Sequence, residues 1–515
     1  MKNEYLLGID AGTSKIKVIL FDTQGNEIEA VAKKSPVISS EKGLSEQDML
    51  ETWNLTVRCI SEVIYKSKVK PMLIKGVGIT GQGEGAWLID KSGKPLRNAI
   101  LWNDSRASKI VDKYNDLVFR NKIREITGSF PYAGATTFIL KWLKENEPET
   151  LSNLDFIFNC KDWIRYKLTG NAYLDYTDAS TSFLDIKNNV ISTELLKLLD
   201  IEELFQHFPE VKHAFQSGGE ITQDISISTG LSEGTPVSIG MLDVVASTLG
   251  SGALSKNDIC TILGTTCCNA VVTDSYRVTK DNSGFENFVG KDTYINIIGA
   301  MAGTLNLDWF IGNFYSEEQE KSRLEGKDIY KILEHKIKDE SAIDKGIIYH
   351  PYISVSGERA PFYNINARAQ FFGLCQDTSR ELMLRAIYEG VAFSIKDCLK
   401  EYYSNKNIYL SGGGSGSEIW PQIIADATGK NVIIVEGSEF AARGAVISAG
   451  ICSGVYKELE EAVNSTIRVN KTYHPNIINE KKYDDFYELY INIRDNSIAC
   501  WNKRRQILDK WRKDV

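Results

Sequence analysis

No stretch of this 515-residue chain approaches the ~18 consecutive apolar residues of a membrane-spanning helix. Its first residues show no basic segment leading into an apolar one, so neither a secretory leader nor a membrane anchor is expected, and the expected compartment is the cytoplasm. Histidine is scarce. The five present (His207, His213, His335, His350 and His474) form no H-x-H or H-x-x-x-H pair, which argues against zinc or iron held by protein side chains. Nine scattered cysteines contain no C-x-x-C, and Cys267 and Cys268 are neighbours in a predicted strand, so they read as reduced thiols rather than a disulfide framework. A surplus of basic charge is missing too. Sixty Lys and Arg against 68 Asp and Glu leave a formal charge of −8, which excludes nucleic acid and anionic membrane as expected partners. It does not exclude ATP, because a local cluster of donors can hold phosphate on an acidic protein. Low-complexity segments and long linkers are absent, and the length exceeds the usual span of one core, so two domains are expected.

The segment Leu6 to Asp22, LLGIDAGTSKIKVILFD, is two apolar runs joined by a small-residue turn, the pattern of a β-hairpin. Gly12 permits positive φ and close approach of backbone to a ligand. Thr13, Ser14 and Lys15 offer N–H, hydroxyl and ammonium donors suited to phosphate, while Asp10 suits a hydrated Mg²⁺. Residues 259–274, ICTILGTTCCNAVVTD, repeat the design with Gly264, Thr265 and Thr266 at the turn and the same glycine-to-aspartate spacing. Two hairpins in register, near the starts of the two chain halves, predict two similarly built domains facing one nucleotide.

Between and after them the pattern alternates strands and helices, an α/β organisation broken near residue 250. A helix is predicted from Gln47 to Ser67, and a strand from Ile74 to Ile79 leading into Thr80-Gly-Gln-Gly-Glu-Gly85. Helices dominate from Ser105 to Lys167, and strand and turn signals return from Asp175 to Asp185. A short strand from Thr235 to Gly240 delivers Asp243 ahead of a helix. Further on, strand Ile408–Leu410, the run Gly412-Gly-Gly-Ser-Gly416, helix Ser417–Ala427 and strand Val432–Val435 follow, and the tail from Lys481 to Trp511 is helical.

Asp243 is placed to accept a proton from an acceptor hydroxyl in phosphoryl transfer, but by position alone the helix N-cap, a common place for aspartate, is the better reading. The glycine run at a strand-to-helix junction lets backbone approach a flat ligand or a phosphate. Gln82, Glu84, Trp102, Asp104 and Arg106 are the amide, carboxylates, indole and guanidinium that bind and stack on a sugar or polyol. Each also has a structural use; Asp104 could cap the helix near Ser105.

Together these segments resemble the FGGY family of carbohydrate kinases, in its xylulokinase-like and erythritol kinase-like branches, within the actin-like, ribonuclease H-like ATPase superfamily. The resemblance runs from Leu6 to about Gly450. It rests on Asp10-Ala-Gly-Thr-Ser14, Gln82-Gly-Glu-Gly85, Leu101-Trp-Asn-Asp-Ser-Arg106, Lys161-Asp-Trp-Ile-Arg-Tyr-Lys-Leu-Thr-Gly170, Thr177-Asp-Ala-Ser180, Asp243, Gly264-Thr-Thr266, Gly303-Thr304 with Trp309, Gly357-Glu-Arg-Ala-Pro361, Glu389-Gly390 and Gly412-Gly-Gly414. It implies a two-domain α/β fold with an interdomain active-site cleft: an N-terminal domain at 1–249, a C-terminal domain at 250–450 and a helical extension at 451–515. By the same resemblance Asp243 is the catalytic base and Asp10 helps hold Mg²⁺. Gly12, Thr13, Ser14, Lys15, Gly264, Thr265 and Thr266 face the ATP phosphates, and Gly303, Gly413, Gly414 and Gln422 lie near adenosine. Gln82, Glu84, Trp102, Asp104, Arg106 and Tyr132 line the sugar pocket. A homodimer is a family-level expectation.

The departures fall on the acceptor side. Gly83 stands where glycerol kinases carry arginine and xylulokinases methionine; Glu84 replaces the xylulokinase histidine, and Val244 follows the base where relatives carry Asn or Gln. The expected reaction is ATP-dependent phosphorylation of a small sugar or polyol, a pentulose such as xylulose first and erythritol as the alternative. The alternative of another class is an actin-like module that binds sugar or nucleotide without turnover.

Overall fold

Strand β1 (Tyr5–Ala11) reads as an almost unbroken apolar run because it lies inside a sheet covered on both faces, with Leu6, Leu7 and Ile9 wholly buried. The computed structural model describes residues 4–40, 43–114, 116–276, 285–290, 292–402, 404 and 406–513. Strand β2 (Lys15–Asp22) pairs antiparallel with β1, Asp10 opposite Lys17, and β3 (Glu27–Lys34) extends the meander. Helix α1 (Met49–Ser67) packs on β2 and β3, and Asp48 caps it by accepting the N–H groups of Leu50 and Glu51. Strand β4 (Ile74–Gly81) returns parallel to β1 with Thr80 beside Asp10. After α2 (Cys160–Thr169) and α3 (Tyr176–Ser182), strands β5 (Ser217–Glu220), β6 (Pro236–Ser238) and β7 (Met241–Leu242) lead into α4 (Asp243–Gly250). The sheet order is β5-β6-β4-β1-β2-β3, with β7 also on β4.

The second domain repeats this plan. Strands β8 (Asp258–Leu263) and β9 (Cys267–Thr273) form the second hairpin, joined by β10 (Phe285–Gly290) and β11 (Thr293–Ala300). Strand β12 (Asn407–Ser411), helix α5 (Trp420–Thr428), strand β13 (Asn431–Val435), helix α6 (Phe440–Cys452), strand β14 (Val469–Tyr473) and helix α7 (Ile477–Lys513) complete it. The order β10-β11-β9-β8-β12-β13-β14 contains the same five-strand core as the first sheet. β11-β9-β8 match β3-β2-β1 as antiparallel meanders, and β12-β13 match β4-β6 as parallel returns. The two hairpins predicted from the repeated glycine turn are therefore equivalent elements of two like domains.

The domains meet through α4 and α6, and glycines set the closeness of that contact. A Cβ on Gly444 would lie 2.0 Å from the Ala246 carbonyl oxygen, and one on Gly250 equally close to that of Phe440. Helix α6 also lies directly on the first sheet, where a Cβ at Gly8 or Gly78 would meet the carbonyls of Ala442 or Ala445 at 2.6 and 1.8 Å. Ala442 and Val446 thus share a core with Leu6, Ile19 and Phe21.

Three expectations change. The tail at 451–515 is not a separate helical extension. It includes β14, which edges the second sheet, and α7 buries Tyr483, Tyr490 and Trp501 in the second core. The region Asp175–Asp185, expected as strand and turn, has short strand residues at its ends, Asp175 and Leu184–Asp185, but is mostly α3 between them, because Asp175 caps a helix by accepting from Thr177 and Asp178. The helical region before Lys167 also contains a strand, Leu154–Phe158. Among the described residues no helix is long and apolar enough to cross a membrane.

Candidate active site in the interdomain cleft

The turn joining β1 to β2 and the turn joining β8 to β9 face a common cavity of about 500 Å³. Asp10, Gly12 and Thr13 line it from the first domain, Gly264 and Thr266 from the second, and Asp243 from the first position of α4. Gln82, Glu84, Trp102, Tyr132 and Thr181 gather at a polar end, and Leu242, Val244, Ile262 and Ile297 supply apolar wall.

Asp243 and Asp10 are half-buried carboxylates that both hold a proton more tightly than usual, and the charge of Asp10 adds to the rise at Asp243. Asp243 is pushed up to about 7, first by burial and then by the charge of Asp10, against the Val244 N–H that donates to its Oδ1 at 2.7 Å. Asp10 is pushed up to about 6 by burial, with Lys17 pulling it down and Glu439 pushing it up. Lys17 and Glu439 themselves pair across the domain boundary at 2.6 Å. Two half-buried acids facing one cavity fit a divalent cation, whose charge offsets the cost of ionising both. By contrast, Asp162, Asp175 and Asp178, the one carboxylate cluster with metal-like spacing among the described residues, already hold the Lys161 ammonium at 3.0, 2.5 and 2.7 Å.

That lysine cluster supports the polar end of the cavity. Asp178 Oδ1 accepts the Glu84 N–H at 3.1 Å, and Glu84 sits at φ 55°, an unusual backbone conformation for a residue other than glycine. A Cβ at Gly83 would lie 2.6 Å from Asp178 Oδ1 and 2.2 Å from Leu242 Cδ1, so the space a longer side chain would need is already filled. Burial pushes the Glu84 carboxyl up to about 8, with the Thr181 hydroxyl and Arg359 pulling it down and Asp178 adding to the rise. On the other arm, Asp175 accepts the Thr177 hydroxyl, which accepts the Leu242 N–H at 2.8 Å, next to the Asp243 backbone.

Thr13, expected at the phosphates, has its hydroxyl turned to Gln82 and Trp102 at the polar end of the cavity. It donates to Gln82 Oε1 and accepts from Trp102 Nε1, both at 3.0 Å, and Gln82 Nε2 donates to Gln47 Oε1 at 2.7 Å. Gln82 and Trp102 are thereby fixed at the cavity wall. Asp104 and Arg106 do not line the cavity: Asp104 accepts from Ser45 N and the Arg106 guanidinium, which also pairs with Glu46 and lies over Trp142.

Behind the second hairpin, Gly303 N–H donates to Thr265 O and Thr304 N–H to Gly264 O, each at 2.7 Å. This tie needs Gly303, whose Cβ would lie 2.5 Å from Gly264 O. Gly413 has open space where a Cβ would stand, while Gly414 lies against Leu263. Gly12 does not use positive φ, contrary to expectation; the turn forms without it. Ser14, Lys15 and Thr265 are exposed and outside the cavity lining. Gln422 is also outside it, its amide donating to Asp426 and to the His474 carbonyl.

Four contributors carried no assigned role in the sequence: Gln47, Lys161, Thr177 and Arg359. Lys161, Thr177 and Arg359 lie in quoted motifs, so the signal was present without its purpose; Gln47 gave none beyond its place at a helix start.

Residues 5–250 match the N-terminal domain, and residues 259–452 the C-terminal domain, of the FGGY family of carbohydrate kinases. The chain is 29% identical to the xylulose kinase of Bacillus subtilis over 95% of its length and 96% of that protein. It is 25% identical to the erythritol kinase of Brucella abortus over 98% of each. Ligand-bound xylulose kinase from Lactobacillus acidophilus superposes with a TM-score of 0.87 at 23% identity, over 97% of this chain and 99% of that one, a likeness of fold.

Proposed function

The chain belongs to the FGGY family of carbohydrate kinases, and from that premise we propose that it transfers the terminal phosphoryl group of ATP to a hydroxyl of a small sugar or polyol, a pentulose such as xylulose first. The observation that supports this most is Asp243, a half-buried carboxylate at the start of α4 between both glycine hairpins, in a cavity whose other end holds Glu84, Trp102 and Tyr132.

In the proposed reaction the acceptor oxygen attacks the terminal phosphorus, the bond from that phosphorus to the β–γ bridging oxygen breaks, and ADP leaves. Asp243 takes the hydroxyl proton; a carboxylate held near neutral pH is matched to that task. Asp10 and Asp243 would hold Mg²⁺, which neutralises phosphate charge when bound. Backbone N–H groups of the two turns are the available donors for the transferred group. Gln82 and Trp102, locked through Thr13, fix the acceptor's orientation, and the Glu84 carboxyl offers it both a donor and an acceptor.

Erythritol is the second acceptor, favoured by the full-length match to an erythritol kinase. ADP formation measured with D-xylulose, L-xylulose, D-ribulose, erythritol and glycerol tests the reading. A pentulose with kcat/KM above the polyols supports it, erythritol leading favours the second, and sugar binding without ADP formation from any acceptor contradicts both.

A further inference from the structure

Two guanidinium–aromatic contacts cross the cleft in opposite directions. Arg359, from the second domain, lies 5.5 Å from the ring centre of Tyr132 in the first. Arg120, from the first domain, lies 5.6 Å from that of Tyr363 in the second, with its own Phe130 at 4.5 Å. Tyr132 and Arg359 line both the main cavity and an adjoining one of about 330 Å³, in whose wall Arg120 and Tyr363 also stand.

The sequence around Arg359 is built to present it. Gly357 takes φ 79°, and a Cβ there would lie 2.3 Å from Asn364 O, so only glycine permits the return of the chain. Glu358 and Asn364 exchange both backbone hydrogen bonds at 2.9 Å. The buried Glu358 carboxylate accepts the N–H groups of Met301 and Arg359 at 2.8 and 2.9 Å, fixing the loop to the end of β11. Among the described residues Arg359 is the one cationic side chain in the lining of the main cavity, whose acids are Asp10, Glu84 and Asp243.

We propose that Arg359 is the second domain's acceptor-reading residue: it donates hydrogen bonds to oxygens at the end of the sugar remote from Asp243, opposite Glu84, and the Arg359–Tyr132 and Arg120–Tyr363 contacts close the cleft over an occupied site. The planar guanidinium supplies several donors in one plane to vicinal oxygens of a ketose or polyol while its face stays on Tyr132. An empty site forfeits those bonds, so the acceptor favours the closed arrangement in which water is excluded from the transferable phosphate. The role rests on the kinase reading above but concerns a residue that reading does not use.

The test uses the full-length protein and the variants Arg359→Met, Arg359→Lys and Arg120→Met. It combines D-xylulose and erythritol titrations of intrinsic tryptophan fluorescence, which need no turnover, with ADP formation and calorimetric ADP affinity. Arg359→Met is expected to weaken acceptor binding at least ~30-fold, Arg359→Lys at least ~10-fold, and Arg120→Met, which only spans the rim, ~3- to 10-fold. ADP affinity is expected to stay within ~3-fold in all three, showing an intact nucleotide side, and the ratio of acceptor-free ATP hydrolysis to transfer to rise ~10-fold in Arg359→Met. Acceptor affinity of Arg359→Met within ~2-fold of the parent overturns the assignment. Acceptor binding without ADP formation in the parent protein overturns the kinase reading instead, and the Arg359 comparison is still read from fluorescence.

Discussion

Lys161 Nζ lies 2.7 Å from Asp178 Oδ2 with both side chains wholly buried, and the other oxygen of that carboxylate holds the Glu84 N–H. One ammonium therefore stands behind the proposed acceptor pocket, and through Asp175 and Thr177 also behind the strand that leads into Asp243. Three acids raise the proton affinity of Lys161, so it stays charged. Lys161→Met would leave Asp162 paired with Arg165 and would take from Asp175 and Asp178 the ammonium that each of them holds, at a cost of about 3–5 kcal/mol. Thermal unfolding is expected to shift down sharply, and a Tm within about 2 °C of the parent would contradict the role of this cluster.

Thr13 separates a phosphate role from an acceptor role for the first hairpin. Its hydroxyl joins Trp102 to Gln82. Thr13→Val, which keeps shape and removes the hydroxyl, is expected to raise acceptor KM about 10-fold with ATP KM changed less than about 3-fold, and Thr13→Ser to restore most of the loss. The opposite split, with ATP KM carrying the effect, would return the hydroxyl to the phosphates.

The pH profile follows from Asp243. Its affinity for protons is raised, and the base works only when ionised, so kcat/KM for the acceptor should fall about tenfold per pH unit on the acid side, with an apparent pKa at or below about 7. A bound cation favours the carboxylate and moves that limb down. A profile flat from pH 5 to 9, about two units either side of neutrality, would exclude Asp243 as the titrating base.

Glycine placement predicts two contrasting variants. Gly78→Ala puts a Cβ 1.8 Å from the Ala445 carbonyl oxygen, where α6 lies on the first sheet, and should cost about 3 kcal/mol or more, read by urea unfolding. Gly413→Ala meets nothing within 4 Å and should leave unfolding unchanged while raising ATP KM, since the added methyl enters open space on the nucleotide side. Equal stability of the two variants would refute the packing argument.

Much of this architecture was legible because its signals are local. The repeated Gly-to-Asp spacing marked both hairpins, and the apolar runs of β1 and β8 marked the centres of two like sheets. What was hidden depends on long-range contact. The tail from Val469 to Tyr473 has no strand pattern of its own and becomes β14 by pairing with β13. Asp104 and Arg106 have the chemistry of sugar ligands, yet each satisfies the other and Glu46. Gln422 is spent on Asp426 and His474 for the same reason. Gly83 read as a departure; the fold explains it by Leu242 and Asp178 filling its side-chain space.

The claim that Asp243 is the base at the meeting of two phosphate hairpins is tested most directly by Asp243→Asn. Acceptor-dependent ADP formation should fall at least ~10³-fold while calorimetric ADP affinity stays within ~3-fold of the parent. Sugar phosphate produced by this variant at near-parental rate would contradict the account.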